Sequence, residues 1–267
     1  MATPRNARPG MLLDPGAPIN NGLVGWWPMW EGAGGKTLDI SGKNNHGTLT
    51  NGPTWQDGGL RFDGTDDYIA GPTNVVTALP VTIHVRVKLL SVSATAKMIV
   101  QACDSATAAD YYQGAQLTFT NTAFTIQTGD GAANRKTLLC TTVPVVGKWY
   151  NLTGVFISHG NYQLYIDGVN DGGTYSGTAA SSVFTSDPLS IGRWDSDLDR
   201  FANMIVSSCR IWNRALSALE AQQLYVNPNI GLWVPDTIRY YIPAAGGGFQ
   251  PAWAANSNVL LGGGMAL

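Results

Sequence analysis

Charge is scarce in this sequence. Charged residues are 13% of the 267 positions, against about a quarter in a typical soluble domain. Lys and Arg number 16 and Asp and Glu 18, for a net charge of −2. Without a basic surplus the chain lacks the electrostatic footprint of a nucleic-acid binder. Little charge also leaves surface that water wets poorly, so part of it is expected to lie against other subunits. Glutamate is nearly missing, with only Glu31 and Glu220. The three cysteines, Cys103, Cys140 and Cys209, are odd in number and show no metal-ligand spacing. Three free thiols are expected, with one internal disulfide as the alternative. His46, His84 and His159 are isolated, so no Ser/His/Asp or Cys/His set follows from spacing. Each imidazole is read as solvated or locally bonded. No run is long and apolar enough to span a membrane. The first 20 residues lack the apolar core of a signal peptide. The expectation is a protein that folds in a reducing cytoplasm or leaves it by a non-secretory route, with the Asn151 sequon a coincidence.

Turn formers are abundant instead, with 32 Gly and 14 Pro. Residues 1–21 read as an arm, carrying Pro4, Pro9, Pro15 and Pro18 and no apolar period. Residues 22–226 read as a strand-rich domain. Its clearest strand is PVTIHVRVKLL. Val81, Ile83, Val85, Val87 and Leu89 share one face, while Thr82, His84, Arg86 and Lys88 share the other, the pattern of a half-buried antiparallel strand. KMIVQAC, QLTFT, AFTIQT, TLLCTTV, KWYNLTGVFI, PLSIGRW and NMIVSSCRIW continue the series. Asp167-Gly168, between Ile166 and Val169, is a two-residue type I′ hairpin signal. One helix is expected, with Ser217 and Glu220 spaced as a capping box before SALEAQQLY and Pro228 as the stop.

Residues 227–267 change character and read as a second, apolar, Gly-rich arm. From residue 228 onward only Asp236 and Arg239 are charged. Flexible linkers are polar, so this segment needs a surface to lie on, either its own domain or a neighbouring subunit. Trp233, Tyr240, Tyr241, Phe249 and Trp253 are its candidate anchors, because large aromatics carry much of the energy of packed contacts.

Three spaced signatures resemble one family. They are GLVGWWPMWEG with DISGKNNHGTLTNGPTW and GLRFDGTDDYI, then KWYNLTGVF with LYIDGV, and finally SIGRW with IVSSCRIWNRALSALEAQQLY. Taken in order over residues 22–226, they resemble the laminin-G-like, concanavalin A-like lectin/glucanase domain. The implied fold is all-β: a two-sheet antiparallel jelly-roll sandwich with one short C-terminal helix and extended N- and C-terminal arms. The resemblance implies that Leu23 to Trp27 returns to pair near Arg210, Ile211 and Trp212, with Trp26 or Trp27 in the core. DISGKNNHGT then forms a tight loop bonding its own backbone. That structural role is preferred for the Trp-rich stretch over an aromatic floor for a sugar. One departure is plain. The strand FANMIVSSCRIWNRALS lacks the acidic pair that relatives often carry there, so no ligand or metal role rests on those acids.

Glycosidases share this general fold and place two carboxylates across the bond they break. Here Glu220 is accounted for by capping, Glu31 lies in a signature loop, and the Glu-x-Asp-x-Glu cluster of jelly-roll glucanases is absent. The chain is therefore read as no enzyme, with a glycoside hydrolase as the weakest alternative. RWDSDLDR alternates Asp195, Asp197 and Asp199, three hard-oxygen ligands suited to Ca²⁺. Arg193 and Arg200 make a solvated, self-neutralised loop the other reading. No cofactor is required, and a structural Ca²⁺ is the one candidate ion. Trp194, Tyr111, Tyr112 and Asp130 are candidates for a lectin-like rim.

Signal-less chains with this domain and an apolar Gly/Ala-rich tail resemble structural proteins of tailed bacteriophages. The resemblance implies a virion protein made in the host cytoplasm, such as a capsid decoration or head-associated subunit held by its arms. Its expected partners are other copies of itself and a major capsid or other virion protein, with a glycan as a further candidate and neither nucleic acid nor membrane. A carbohydrate-binding module, alone or within a virion, is the alternative.

Overall fold

The computed structural model describes residues 11–56, 58–102, 114–129, 134–179, 188–194 and 200–233, together with the backbone of 242–243 and 249–250. Contacts divide the chain into two units, residues 1–232 and 233–267.

In the first unit, apolar alternation builds two stacked antiparallel sheets. One has nine strands, in the order Thr174–Gly177, Arg135–Leu139, Phe124–Gly129, Gly114–Phe119, Lys97–Ala102, Pro188–Ile191, Tyr68–Thr73, Gly47–Thr50 and Lys36–Thr37. The other has eight. Seven run in the order Val169–Asn170, Asn161–Ile166, Trp149–Ser158, Val81–Leu89, Asn203–Trp212, Gly59–Asp63 and Thr54–Gln56, and Leu23–Trp27 pairs with Asn203–Trp212. Val81, Ile83, Val85, Val87 and Leu89 meet Leu117, Phe119, Phe124, Ile126 and Phe156 between the sheets, all fully buried. Asp167 (φ 51°) and Gly168 (φ 80°) form the expected hairpin turn. The helix Ala218–Val226 carries the expected capping box.

The Trp-rich stretch closes the sandwich. Trp27 pairs with Cys209, Trp26 with Arg210 and Gly25 with Ile211, so consecutive tryptophans point to opposite faces. Trp27 enters the main core and its ring lies over Gly25, where an added Cβ would come within 2.3 Å of it. Trp26 lies on the outer face of the eight-stranded sheet. Both are buried. Asp39 organises the following loop. Its buried carboxylate accepts the N–H groups of Trp26 (2.8 Å), Ser41 (2.9 Å) and Asn45 (2.9 Å) and the Ser41 hydroxyl (2.8 Å).

Three sequence expectations need correction. The polar face of Val81–Leu89 is not solvated, since Thr82, His84 and Arg86 are buried. A second small core lies over that face. Ile19, Leu23, Trp26, Trp212, Leu216, Leu224 and Leu232 pack there, with Leu13 and Ile230 against them. For the same reason the described part of the expected N-terminal arm, residues 11–21, is part of the body. The Trp212 indole donates to the Ile19 carbonyl (2.6 Å), and Asn20 Nδ2 donates to the carbonyls of Asp14 and Gly231 (2.7 Å each). Residues 227–232 belong with it, so the boundary falls after Leu232 rather than before Asn227.

In the second unit Ile242–Pro243 pairs with Phe249–Gln250. Cys140 and Cys209 are free, buried thiols, and Cys103 lies outside the described residues. Burial pushes the Cys140 thiol up to about 12 and that of Cys209 further. Among the described residues no helix is long and apolar enough to cross a membrane.

A buried carboxylate with four donors leaves all four unpaired when removed. Asp39→Ala is expected to cost about 3 kcal/mol in urea unfolding. Asp39→Asn, which keeps the shape but loses the charge-assisted bonds, is expected to cost about half as much.

Candidate functional site

Each of three consecutive apolar strands carries a glutamine: MIVQA, AQLTF and TIQT. Strand register turns these separate residues into one row. Ser190 pairs with Gln101, Gln101 with Gln116, Gln116 with Gln127, Gln127 with Thr137 and Thr137 with Ser176. The row crosses six strands of the nine-stranded sheet on the face opposite Leu117, Val100 and Ile126. Gln127 Nε2 donates to Gln116 Oε1 (2.6 Å), and the Thr137 hydroxyl donates to Gln127 Oε1 (3.2 Å). One position along, Thr118 pairs with Thr125 and their hydroxyls are hydrogen-bonded. Exposure rises toward one edge: Gln116 is fully buried, Thr137 half-buried and Ser176 exposed. The row consists of neutral amides and hydroxyls, each both donor and acceptor. That chemistry matches sugar hydroxyls and offers no acid or base. Sequence reasoning missed the row because each strand shows only one or two polar residues on that face, and pairing alone aligns them across strands.

Of the candidate rim residues, Trp194 is described. It follows Ile191, which pairs with Val100 while Ser190 pairs with Gln101. It is also 4% exposed, with the Arg200 guanidinium 5.2 Å from its ring. A ring so covered is no open platform. Tyr111, Tyr112 and Asp130 lie outside the described residues. So do the Ca²⁺ candidates Asp195, Asp197 and Asp199, and the anchors Tyr240, Tyr241 and Trp253. Phe249 is described in its backbone alone. Trp233 is 61% exposed.

Carboxylates gather elsewhere, where Asp63, Asp66 and Asp67 bring oxygens within 4.8 Å of one another. Backbone donors engage two of the three. Asp63 Oδ1 accepts from the Thr65 N–H (2.7 Å), and Asp67 Oδ2 from the Asp63 N–H (2.9 Å). The Thr65 N–H holds the Asp63 carboxyl below its usual range, while burial raises that of Asp67. The cluster is a turn built around its own backbone. The two glutamates are likewise committed. Glu31 Oε1 accepts from the Leu38 N–H (2.6 Å) and the Thr37 hydroxyl (3.2 Å). Glu220 takes both Arg214 Nη atoms (2.6 and 3.1 Å) and the Ser217 N–H (2.8 Å). Arg214 holds the Glu220 carboxyl below its usual value, the reverse of what a general acid requires.

A family model described as the concanavalin A-like lectin/glucanases superfamily matches residues 63–222. Among solved structures, the receptor binding domain of botulinum neurotoxin D aligns with a TM-score of 0.60 at 15% identity, over 79% of this chain and 54% of its own. Trypanosoma rangeli sialidase in complex with sialic acid aligns with a TM-score of 0.59 at 16% identity, over 79% of this chain and 33% of its own. The binding domain of Paraclostridial Mosquitocidal Protein 1 aligns with a TM-score of 0.57 at 13% identity, over 78% and 52%. At these identities the likeness is one of fold, and this chain spans between a third and about half of those chains. No curated protein matches the sequence.

The Glu220 arrangement has a pH signature. A folded-state value held below the ordinary 4.5 contributes stability that is complete above that pH and is lost as pH falls through the lowered folded value. Glu220→Gln is expected to lose about 1 kcal/mol at pH 7. Its stability, followed by urea midpoints from pH 7 to 3, should fall less steeply than that of the parent below pH 4.5.

Proposed function

The chain belongs to the concanavalin A-like lectin/glucanases superfamily, and from that premise we propose that it is a carbohydrate-binding module without catalytic activity. The observation that carries this reading is the neutral ladder Ser190–Gln101–Gln116–Gln127–Thr137–Ser176. Its partly open end at Thr137 and Ser176 is where hydroxyl groups of a glycan would extend the existing hydrogen bonds. The Glu220 pairing with Arg214 supports the absence of catalysis, since it holds that carboxyl below its usual value and keeps it from serving as a general acid. Fold-level likeness to toxin binding domains and a sialidase agrees with a glycan ligand but does not choose one.

A second reading makes the same chain a structural subunit of a bacteriophage virion, a capsid decoration or head-associated protein that associates with its own copies and a major capsid protein. Residues 233–267 support it. They carry two charges, Asp236 and Arg239, and begin at the exposed Trp233, and an apolar segment of this kind fits exchange between neighbours. The two readings are compatible.

On a glycan array followed by calorimetry, the full chain is expected to bind a defined glycan class. Thr137→Val with Ser176→Ala should weaken that binding by about tenfold or more, the loss of one to two hydrogen bonds, while the fold is kept with a midpoint only slightly lowered by the lost Thr137–Gln127 bond. Full affinity in the double variant would remove the ladder from the site. Incubation with polysaccharides should release no reducing ends, and turnover lost in Glu31→Gln would establish an enzyme instead. For the structural reading, light scattering is expected to show a defined oligomer for the full chain and a folded monomer for residues 1–232. Two equally monomeric species would reject it.

A further inference from the structure

The outward side of the helix Ala218–Val226 carries no free charge. Ala221 and Leu224 turn into the body. Glu220, the only charged residue of the helix, is taken up by Arg214 and the Ser217 N–H. A surface helix ordinarily sets charged groups against water. Here Leu219 is 63% exposed and Val226 71%. With Gln222 and Gln223 between them, they recur at a spacing of three to four and form one neutral stripe.

The stripe ends in an open pocket of about 310 Å³, lined by Gln222, Gln223, Val226, Asn227 and Ile230. That volume lies at the lower end of the range for pockets that hold a ligand, about 300–1,000 Å³. Val226 and Ile230 supply apolar walls, and the polar groups are uncharged amides. The exposed Gln222 and Gln223 each offer an N–H and a C=O. The frame is fixed in advance. The Asn227 N–H donates to the Gln223 carbonyl (2.8 Å), the Ile230 N–H to the Asn227 carbonyl (3.0 Å), and Arg210 Nη1 to the Ile230 carbonyl (3.0 Å). A pocket held this way loses little freedom on binding.

Apolar walls beside neutral acceptors suit an indole, which has a large ring and a single N–H to place. The chain carries a matching segment in residues 250–254, QPAWA. No charge follows Arg239, and Ala252 and Ala254 are small enough to let the Trp253 ring enter. Tyr240, Tyr241 and Phe249 stand in or beside the pair Ile242–Pro243 with Phe249–Gln250, whereas Trp253 comes after it and enters by its sequence alone. The body holds the chain as far as Leu232, whose N–H donates to the Asn229 carbonyl (3.0 Å). Residues 233–253 span at most about 70 Å when extended, which is ample reach to a neighbour. We propose that the helix-end pocket receives Trp253 of a second copy of this chain. The inference rests on the structural-subunit reading and names the surface that takes the exchanged arm.

The experiment is light scattering after size exclusion on the full chain over a range of concentrations. The parent is expected to form an oligomer. Val226→Glu puts a charge into the pocket at an exposed position, and Trp253→Ala removes the ring. Each is expected to weaken association by about tenfold or more, with the unfolding midpoint little changed. Val226→Leu, which keeps the wall apolar, should keep the oligomer. Val226→Glu retains a working tail and Trp253→Ala a working pocket, so an equal mixture of the two is expected to give a complex of one chain of each. A parent oligomer that survives both variants overturns the inference and leaves the structural reading standing. Two dissociated variants that form nothing when mixed also overturn it, because Trp253 then acts within its own chain. A monomeric parent removes the structural reading and this inference with it.

Discussion

The stacking of the Arg210 guanidinium on Trp26 joins parts of this molecule that lie far apart along the chain. Trp26 belongs to the closing strand, Arg210 to the strand that pairs with three others, and the carbonyls of Pro228 and Ile230 to the segment after the helix. A guanidinium removed from water needs every donor satisfied and its charge balanced. The second core over the eight-stranded sheet is built so that most of this is met locally. Ile19 and Trp212, Leu13 and Leu232, and the helix at Leu224 surround these polar groups with apolar packing. Opening any one of them would return water to Arg210.

That second core explains why a chain with little charge still buries many polar groups. An antiparallel sheet normally packs one face and wets the other. Here both faces of Val81–Leu89 are covered, so Thr82, His84 and Arg86 had to acquire partners. Thr82 Oγ1 donates to the Arg214 carbonyl (2.8 Å) and accepts from the Leu216 N–H (3.0 Å), His84 meets Thr153, and Arg86 meets Ser207 and Trp149. The nine-stranded sheet solves the same problem with amides and hydroxyls that bond across strands. Two polar layers of different chemistry therefore flank one apolar core, and the neutral one suggests a glycan.

Much of the fold was legible locally. Alternation located Val81–Leu89, Phe124–Gly129 and Trp149–Ser158, because side-chain direction reverses at every residue and needs no partner to be seen. Asp167-Gly168 and the Ser217/Glu220 box were equally local, since turn and cap chemistry act within four residues. The Trp-rich stretch was legible as a seam, and Gly25 beside two tryptophans has its reason in the room the Trp27 ring takes. The N-terminal boundary was misjudged because Pro and Gly mark a lack of regular structure, not a lack of contact. Residues 11–21 hold the short strand Leu12–Leu13 and a 3₁₀ turn at Pro18–Asn20, and Ile19 is buried.

The residues by themselves determined the fold class, several strand segments, the helix and the closing pair, because each follows from short-range patterning or a signature read in order. Only the tertiary structure decided which polar residues face one another. Gln101, Gln116 and Gln127 became a ladder through register. Ser208 and Arg210 were turned to the outer face by one extra residue at Ser207. His84 and Arg86 lost water because segments near residues 19 and 230 fold back over them. Contacts such as Trp212 with Ile19, 193 residues apart in sequence, depend on the packing of the whole domain, and no local pattern encodes them.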